Sequence, residues 1–332
     1  MNRKALTLLS GGLDSILATK LMLEQGIAVE AINFLTVFCT CTNKGCQHAA
    51  TKAAETLGIP LKVLNITEEY LGIIKNPKHG YGSNMNPCID CRIFIFRKAK
   101  EYMKEVGASF IVTGEVLGER PMSQRRDAIL LIEKEAGLKG LIVRPLSAKL
   151  FAPTIPETEG IVDREKLLDI SGRSRKPQIG LAKEFGINDY PCPAGGCLLT
   201  DPGFAKRIKD LMVHDSLTLD NVRLLKFGRH FRLSPNVKLI IGRDEKENAI
   251  LEAQVRPGDI CLKLKDRQGP FSVLRGNADK TMIDHAASIV AHHTKFKKEG
   301  SVGVVCRVLP SPEHATVYVK PAAIQEVEKV RI

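Results

Sequence analysis

Tryptophan is absent from this sequence, and aromatic residues make up only 5% of its 332 positions. An ordinary aromatic stacking platform for bases is therefore not advertised. No apolar run approaches the roughly 18 residues that a membrane-spanning helix needs, so no membrane partner is expected. The apolar stretch before Ser10 is too short for a secretory signal, which points to a cytoplasmic chain. With 44% apolar and 26% charged residues, the composition excludes disorder and fibre. A length of 332 residues exceeds one ordinary core and suits two domains, or two plus a small insert.

What is present is positive charge and thiol. Lys and Arg outnumber Asp and Glu by 49 to 37, a net +12. The excess is 26 over 21 across residues 1–200 and 23 over 16 across 201–332, so the second part is the denser in cations. Such a balance suits a polyanion such as RNA, or simply a solvated basic surface. Nine cysteines, an odd count, suit a reducing compartment in which thiols serve metal or catalysis.

Strand-like and helix-like segments alternate over the first 150 residues. Ala5–Leu9, Ala28–Phe34, Leu61–Ile66 and Phe110–Val112 read as strands. Helices are expected over Ser15–Glu24, Ala49–Leu57 and, most clearly, Ile89–Val106, where Ile89, Ile93, Phe96, Ala99, Met103 and Val106 form one stripe. This alternation predicts right-handed crossovers and a parallel sheet covered on both faces. Val162–Ile170 and Pro177–Phe185 read as further helices. Beyond Asp201 short strand candidates predominate. The expected domains are 1–200, a helical connection over 201–226, and 227–332.

The strongest chemical signal is Ser10-Gly11-Gly12-Leu13-Asp14-Ser15, between the first strand and the first helix. Two glycines let backbone approach a phosphate, and the helix supplies unpaired N–H groups and the positive end of its dipole. Asp14 could hold Mg²⁺ or cap the helix. There is no Gly-Lys-Ser/Thr ending, which disfavours a Walker-type kinase or motor. The string resembles the PP-loop of the ATP pyrophosphatases. That resemblance implies ATP as cofactor and a PP-loop, Rossmann-like α/β fold of the adenine-nucleotide hydrolase kind, followed here by a smaller α+β domain. Thr113-Gly114-Glu115-Val116-Leu117-Gly118 with Ser123-Gln124, then Arg144-Pro145-Leu146, resembles the next blocks of 4-thiouridine synthetase. The resemblance implies that Gly114, Glu115 and Gln124 lie at the nucleotide.

Cys88 and Cys91 open the long helix as a C-x-x-C pair, close enough to share a metal or cluster, or to act as a redox dithiol. Their Asn-Pro-Cys-Ile-Asp-Cys context resembles the 2-thiouridylases and their iron–sulfur-dependent relatives. This implies a 4Fe-4S cluster with a third ligand, Cys197, or Cys192 as the alternative. The context of Cys197, Gly-Gly-Cys-Leu-Leu-Thr-Asp, resembles the second catalytic cysteine of the thiolases. Structural zinc on all four is the competing reading. Cys39, Cys41, Cys46 and His48 form a second candidate group, for Zn²⁺ or as free thiols. Cys261 and Cys306 read as buried structural residues.

Phe227–Arg232, Leu239–Asp244 and Glu247–Ile250 resemble the RNA-binding domain of the NFACT proteins. Arg229, His230, Arg232, Arg243 and Lys246 are candidates for phosphate contacts, each with a solvated basic face as the bland alternative.

Together the resemblances imply an ATP-dependent tRNA sulfurtransferase. Catalysis is expected to involve Asp14, Cys88, Cys91 and Cys197, with sulfide or a persulfide carrier as sulfur donor. Neither a THUMP nor a rhodanese segment is evident in the sequence, which leaves the target nucleotide and the persulfide route open. An amidating synthetase and a non-catalytic ATP-sensing RNA-binding factor are the alternatives. Oligomeric state is not legible, a homodimer included.

Overall fold

In a computed structural model, residues 2–39, 45–190 and 196–332 are described, with Cys46 described by backbone alone. The chain divides into two compact units, Met1–Thr200 and Asp201–Ile332.

The first unit is a doubly wound α/β domain. In chain order its elements are β1 (Lys4–Leu8), α1 (Leu13–Leu23), β2 (Ala28–Leu35), α2 (Gly45–Leu57), β3 (Leu61–Asn65), α3 (Thr67–Lys75) and α4 (Cys88–Glu105). Then follow β4 (Phe110–Thr113), α5 (Arg126–Ala136), β5 (Ile142–Val143), α6 (Ile155–Thr158) and α7 (Lys176–Glu184). The five strands are parallel in the order β3-β2-β1-β4-β5. Successive strand residues feed opposite layers. Ala5, Phe110 and Val112 join Leu13, Leu17 and Ala182 of α1 and α7, whereas Leu6 and Ile111 join Ile93, Phe96 and Ile132 of α4 and α5. A sheet buried on both faces is what a parallel arrangement requires.

The chain winds outward from β1 to β3, then returns to place β4 on the other side of β1. That reversal opens a crevice at the carboxyl ends of β1 and β4, where open α/β sheets take ligands. The Gly11-Gly12 loop and Gly114 both lie there.

One helix expectation is corrected. Within Val162–Ile170 only Arg164–Lys166 forms a short 3₁₀ turn. The Leu168 and Ile170 amides donate instead to Pro145 and Leu146 carbonyls at 2.8 Å, pinning the segment along the domain.

The second unit begins with α8 (Pro202–His214) and α9 (Leu219–Leu224). It continues through β6 (Arg229–Ser234), β7 (Val237–Ile241), α10 (Glu245–Glu252), β8 (Ile260–Leu264), β9 (Ser272–Gly276), α11 (Lys280–His292), β10 (Val302–Val308), β11 (His314–Val319) and α12 (Ile324–Val330). Its six strands run antiparallel in the order β11-β10-β8-β9-β7-β6. The stretch 201–226 is helical and bonded into this unit, with Arg207 donating to Leu225 O at 2.7 Å. Cys261 and Cys306 are buried in the two sides of its core. Among the described residues, no helix is long and apolar enough to cross a membrane.

Candidate active site and nucleic-acid interface

The turn after β1 is shaped by close packing. Gly11 has φ +78°, and a Cβ there would lie 2.4 Å from the Ala49 carbonyl carbon of α2. Gly114, directly after β4, leaves no more room: its Cβ would stand 2.5 Å from Asp14 C and Ser15 N. Only glycine lets these backbones come together. Ser10 Oγ accepts from Gly12 N at 3.3 Å and lies 3.1 Å from Ser15 Oγ, which donates to Gly12 O at 2.8 Å. The serine hydroxyls thus hold the turn.

Gly12 is the N-cap of α1, and no side chain caps its first-turn N–H groups. Asp14 therefore does not cap the helix. The uncapped end of this eleven-residue helix opens onto the crevice, an anion-accepting arrangement. Asp14 Oδ2 accepts from Arg175 Nη2 at 3.2 Å, while Oδ1 is buried with no hydrogen-bond partner among the described residues. Burial and the neighbouring Glu119 push the Asp14 carboxyl above its ordinary value, against the pull of Arg175. A carboxylate oxygen left bare beside a phosphate-accepting turn fits a cation such as Mg²⁺. The amide of Gln178 lies beside Asp14, buried, without making a hydrogen bond of good geometry.

Arg175 was not legible as a site residue. It heads α7 and binds Glu119 at 3.1 Å as well as Asp14. In the sequence it is one cation in a basic run, and nothing there marks it.

The carboxylate of Glu115 faces arginine. Arg92 donates to its Oε1 and Arg144 to its Oε2 at 3.0 Å, and Arg144 also binds Glu133. Burial alone would raise the Glu115 carboxyl, but the two guanidinium groups hold it below the usual carboxylate range. Glu115 and Arg144 therefore build the β4 end of the crevice. Gln124 Oε1 accepts from Arg120 N at 2.9 Å and its carbonyl from Gly118 N at 2.8 Å, closing the loop 118–124.

The cysteines meet beside this loop. Cys88 and Cys91 occupy the first turn of α4, where Cys91 N donates to Pro87 O at 2.8 Å. Met85 N donates to Leu199 O at 3.0 Å, which ties the segment before α4 to the one carrying Cys197. Burial pushes the Cys91 thiol up to about 11, against the pull of Tyr70 and Arg92 nearby. Cys197 is likewise pushed up by burial to about 12, and Cys91, Cys88 and Cys39 are all close enough to add to the effect. Cys88 is raised by burial too, opposed by Asn86, Arg120 and Arg92. Arg120 of the loop 118–124 is thus near enough to Cys88 to act on it through its charge. Cys192 lies outside the described residues.

Among the described residues, no three His, Cys, Asp or Glu side chains are spaced as a ready-made metal site. The thiols of Cys39, Cys88, Cys91 and Cys197 are half-buried and near one another, and a metal would supply the positive charge needed to hold them as thiolates. Of the second metal group, Cys41 lies outside the described residues, as does the side chain of Cys46. His48 is exposed on α2. Cys39 goes elsewhere: it forms an antiparallel bridge with Cys197.

In the second unit two phosphate-contact expectations are corrected. His230 is 2% exposed, and burial holds its ring well below the ordinary range while Nε2 lies 2.7 Å from Phe227 O. Arg232 is spent on Asp210 (Nη2–Oδ2 2.7 Å) and Asp215 (2.7 Å). Arg243 binds Glu247, leaving about half of its side chain exposed, and Lys246 is exposed. Arg229 is depressed by burial and by Arg243 and Arg331 nearby. Cations crowded together in this way suit an anion.

Two family models match separate parts of this chain. Residues 1–149 match the family model "Thiamine biosynthesis protein (ThiI)", and residues 228–331 match "NFACT protein RNA binding domain". The tRNA-specific 2-thiouridylase MnmA of Syntrophotalea carbinolica is 33% identical over 121 residues, covering 34% of this chain and 34% of that protein. A probable tRNA sulfurtransferase of Ureaplasma urealyticum is 29% identical over 188 residues, covering 48% and 47% respectively. The chain thus spans between a third and a half of the length of these curated relatives. A solved 4-thiouridine synthetase–RNA complex with bound ATP overlaps 67% of this chain and 52% of its own, at 20% identity and a TM-score of 0.39. The resemblances read from the PP-loop and the C-terminal motifs are found again at the level of whole segments: residues 1–149 match the ThiI model and residues 228–331 that of the NFACT RNA-binding domain.

Proposed function

We propose that this protein is an ATP-dependent tRNA uridine sulfurtransferase. The observation that carries the reading is a placement. The loop 118–124 carries both Glu119, which acts on Asp14 at the uncapped start of α1, and Arg120, which acts on Cys88 at the start of α4, and this supports one site for ATP and the thiols of Cys88, Cys91 and Cys197. ATP lies on Ser10–Ser15, its phosphates facing the first-turn N–H groups of α1, with Mg²⁺ at Asp14. The uridine carbonyl oxygen attacks the α-phosphorus, pyrophosphate leaves, and the base carries AMP. Adenylation turns a poor leaving oxide into a good one. Hydrosulfide then forms the C–S bond as AMP departs. If a persulfide on Cys197 supplies the sulfur instead, its terminal sulfur forms that bond, and a second thiolate must attack Cys197 Sγ to break the S–S bond, releasing the thiolated base and leaving a disulfide for an external thiol to reduce. Fixed N–H donors facing the phosphates would stabilise charge where it develops.

Cys88, Cys91 and Cys197 would hold a 4Fe-4S cluster. Such a cluster on three thiolates supplies one iron without a protein ligand, able to bind sulfur. Arg229, Arg243 and Lys246 would meet the phosphates of tRNA, for which the NFACT-type match and the net charge of +12 speak.

The test is mass spectrometry of tRNA nucleosides from a deletion strain, complemented by wild type or Asp14→Asn. One thiolated uridine should vanish and return only with wild type. An unchanged profile in the deletion strain rejects the reading. Pyrophosphate release by the purified protein that does not depend on tRNA, together with an amidated product, would instead favour an amidating synthetase.

A further inference from the structure

The six-stranded sheet of the second unit is covered unevenly. On one face Val304 of β10 and Val317 of β11 pack with Ala286 and Val290 of α11. On the other, Leu224 of α9 and Leu251 of α10 cover Ile240, Cys261 and Val273 of β7, β8 and β9, and no residue of β10 or β11 joins that cluster. The ladder sets Gly303 opposite Tyr318, Val305 opposite Thr316 and Arg307 opposite His314, and alternation turns these residues away from α11. Arg307, His314 and Tyr318 are exposed there, as is Lys265 directly after β8. Tyr318, 66% exposed, is the most exposed aromatic side chain among the described residues. Its ring is seated on Gly303, where a Cβ would stand 3.2 Å from Tyr318 Cε1. Lys265 Nζ donates to the Tyr318 hydroxyl at 3.0 Å but lies 5.5 Å from the ring centre, so the ammonium sits at the hydroxyl end and off the ring faces. Lys263, on the same face, is paired with Glu252 at 2.7 Å, whereas Lys265 and Arg307 form no ion pair among the described residues.

We propose that this face of β8, β10 and β11 binds unpaired nucleotides of the tRNA, one base stacking on Tyr318 and the flanking phosphates meeting Lys265 and Arg307. The inference rests on the tRNA reading above and adds a second contact region to it, because β11 and β6, the strand of Arg229, are opposite ends of the sheet. The ring selects single-stranded RNA: a base inside a duplex is already stacked on both sides, so only an unpaired one can lie against a side chain. Such a contact tolerates any sequence, since every base has a π-face. Gly303 serves the same end, for a side chain at that position would push the ring off its seat. Charge favours a polyanion over a peptide strand laid along β11. Of the side chains that β8, β10 and β11 turn to this face, with Lys265 beside them, Lys263, Lys265 and Arg307 are cationic and none is acidic.

The test uses the full chain with two probes: labelled tRNA, and an oligouridylate carrying one 2-aminopurine, whose fluorescence falls on stacking. Wild type should bind both and quench the second. Tyr318→Ala should lose the quenching and bind both RNAs at least about fivefold more weakly, the loss that one base stack implies. Tyr318→Phe keeps the ring and should behave as wild type. Lys265→Ala and Arg307→Ala should each lower the slope of log affinity against log salt by about 0.7. Thermal midpoints should not move, because these side chains are exposed. Equal affinity and equal quenching in wild type and Tyr318→Ala overturn the proposal and leave the tRNA reading standing. So does duplex RNA that competes as well as the oligonucleotide. Self-association lost in Tyr318→Ala at unchanged RNA affinity would overturn it too, making the face a contact between copies of this chain. Absence of tRNA binding by wild type rejects the tRNA reading itself.

Discussion

Gly114 stands against Asp14 with no space for a methyl group: the missing Cβ would lie 2.5 Å from the Asp14 carbonyl carbon. The contact joins the loops after β1 and β4, the two walls of the crevice. Gly114→Ala must push these backbones apart, because the obstruction is main chain and cannot rotate away. Overpacking of this kind costs about 1–3 kcal/mol. ATP affinity should fall at least tenfold, measured by calorimetry. Gly12→Ala is the control, since its nearest neighbour is Ser10 Oγ at 3.4 Å. It should keep the thermal midpoint near that of wild type. Equal ATP binding by Gly114→Ala and wild type would show that the close approach does not shape the site.

Glu115 yields a prediction of a different kind. It is the buried anion between Arg92 and Arg144, so its removal leaves Arg92 without a carboxylate partner and Arg144 with Glu133 alone. Breaking one side of such a pairing costs about 3–5 kcal/mol. Glu115→Ala should lower the thermal midpoint by several degrees or abolish soluble expression. Glu115→Gln, which keeps a hydrogen-bond acceptor, should be milder. Were Glu115→Ala to keep full stability and lose only ATP binding, a direct nucleotide contact would be the better account.

How far the sequence reached follows from these residues. The turn Ser10–Ser15 is legible because strand, glycines and helix are contiguous, and local chemistry suffices to read them. The parallel sheet follows from alternation. Cys39 was grouped with Cys41, Cys46 and His48 because they are neighbours in sequence, while its bridge to Cys197 is made by topology. Glu115 and Gln124 carry family motifs, but their polar atoms turn to Arg92, Arg144 and Arg120. His230 and Arg232 look basic in sequence. What decides their role is burial and the acids Asp210 and Asp215 on and just after α8, and no periodicity within β6 could announce these.

The basic residues of the second unit separate accordingly. Lys246→Ala and Arg229→Ala should weaken tRNA binding and each reduce the slope of log affinity against log salt by about 1. Arg232→Ala should act on stability, since it strips Asp210 and Asp215 of their partner. Filter binding at several salt concentrations, with thermal melts alongside, distinguishes the two effects. An Arg232→Ala protein that melts like wild type but binds tRNA more weakly would reverse the assignment.

Lys238 gives the pH dependence. It lies on β7 directly opposite Arg232 on β6 and Arg275 on β9, two like charges at paired positions. Burial first of all pushes its ammonium down to about 8, although Asp210, with Oδ2 at 3.5 Å, pulls the other way. The ordinary lysine value is about 10.4. Between about 8 and 10.4 the unfolded chain holds this proton and the folded one has released it. The unfolded state then binds more protons, so the Lys238 contribution to stability rises with pH across that window and is least favourable below it. Lys238→Met removes the buried charge, and Asp210 keeps its two hydrogen bonds from Arg232. At pH 7 the variant should be more stable by ~2 kcal/mol, a gain that shrinks toward pH 10. Urea midpoints of the second unit's transition at pH 7, 8.5 and 10 provide the comparison. A difference between variant and wild type that stays constant over this range would mean that Lys238 keeps its proton throughout and that packing alone separates the two proteins.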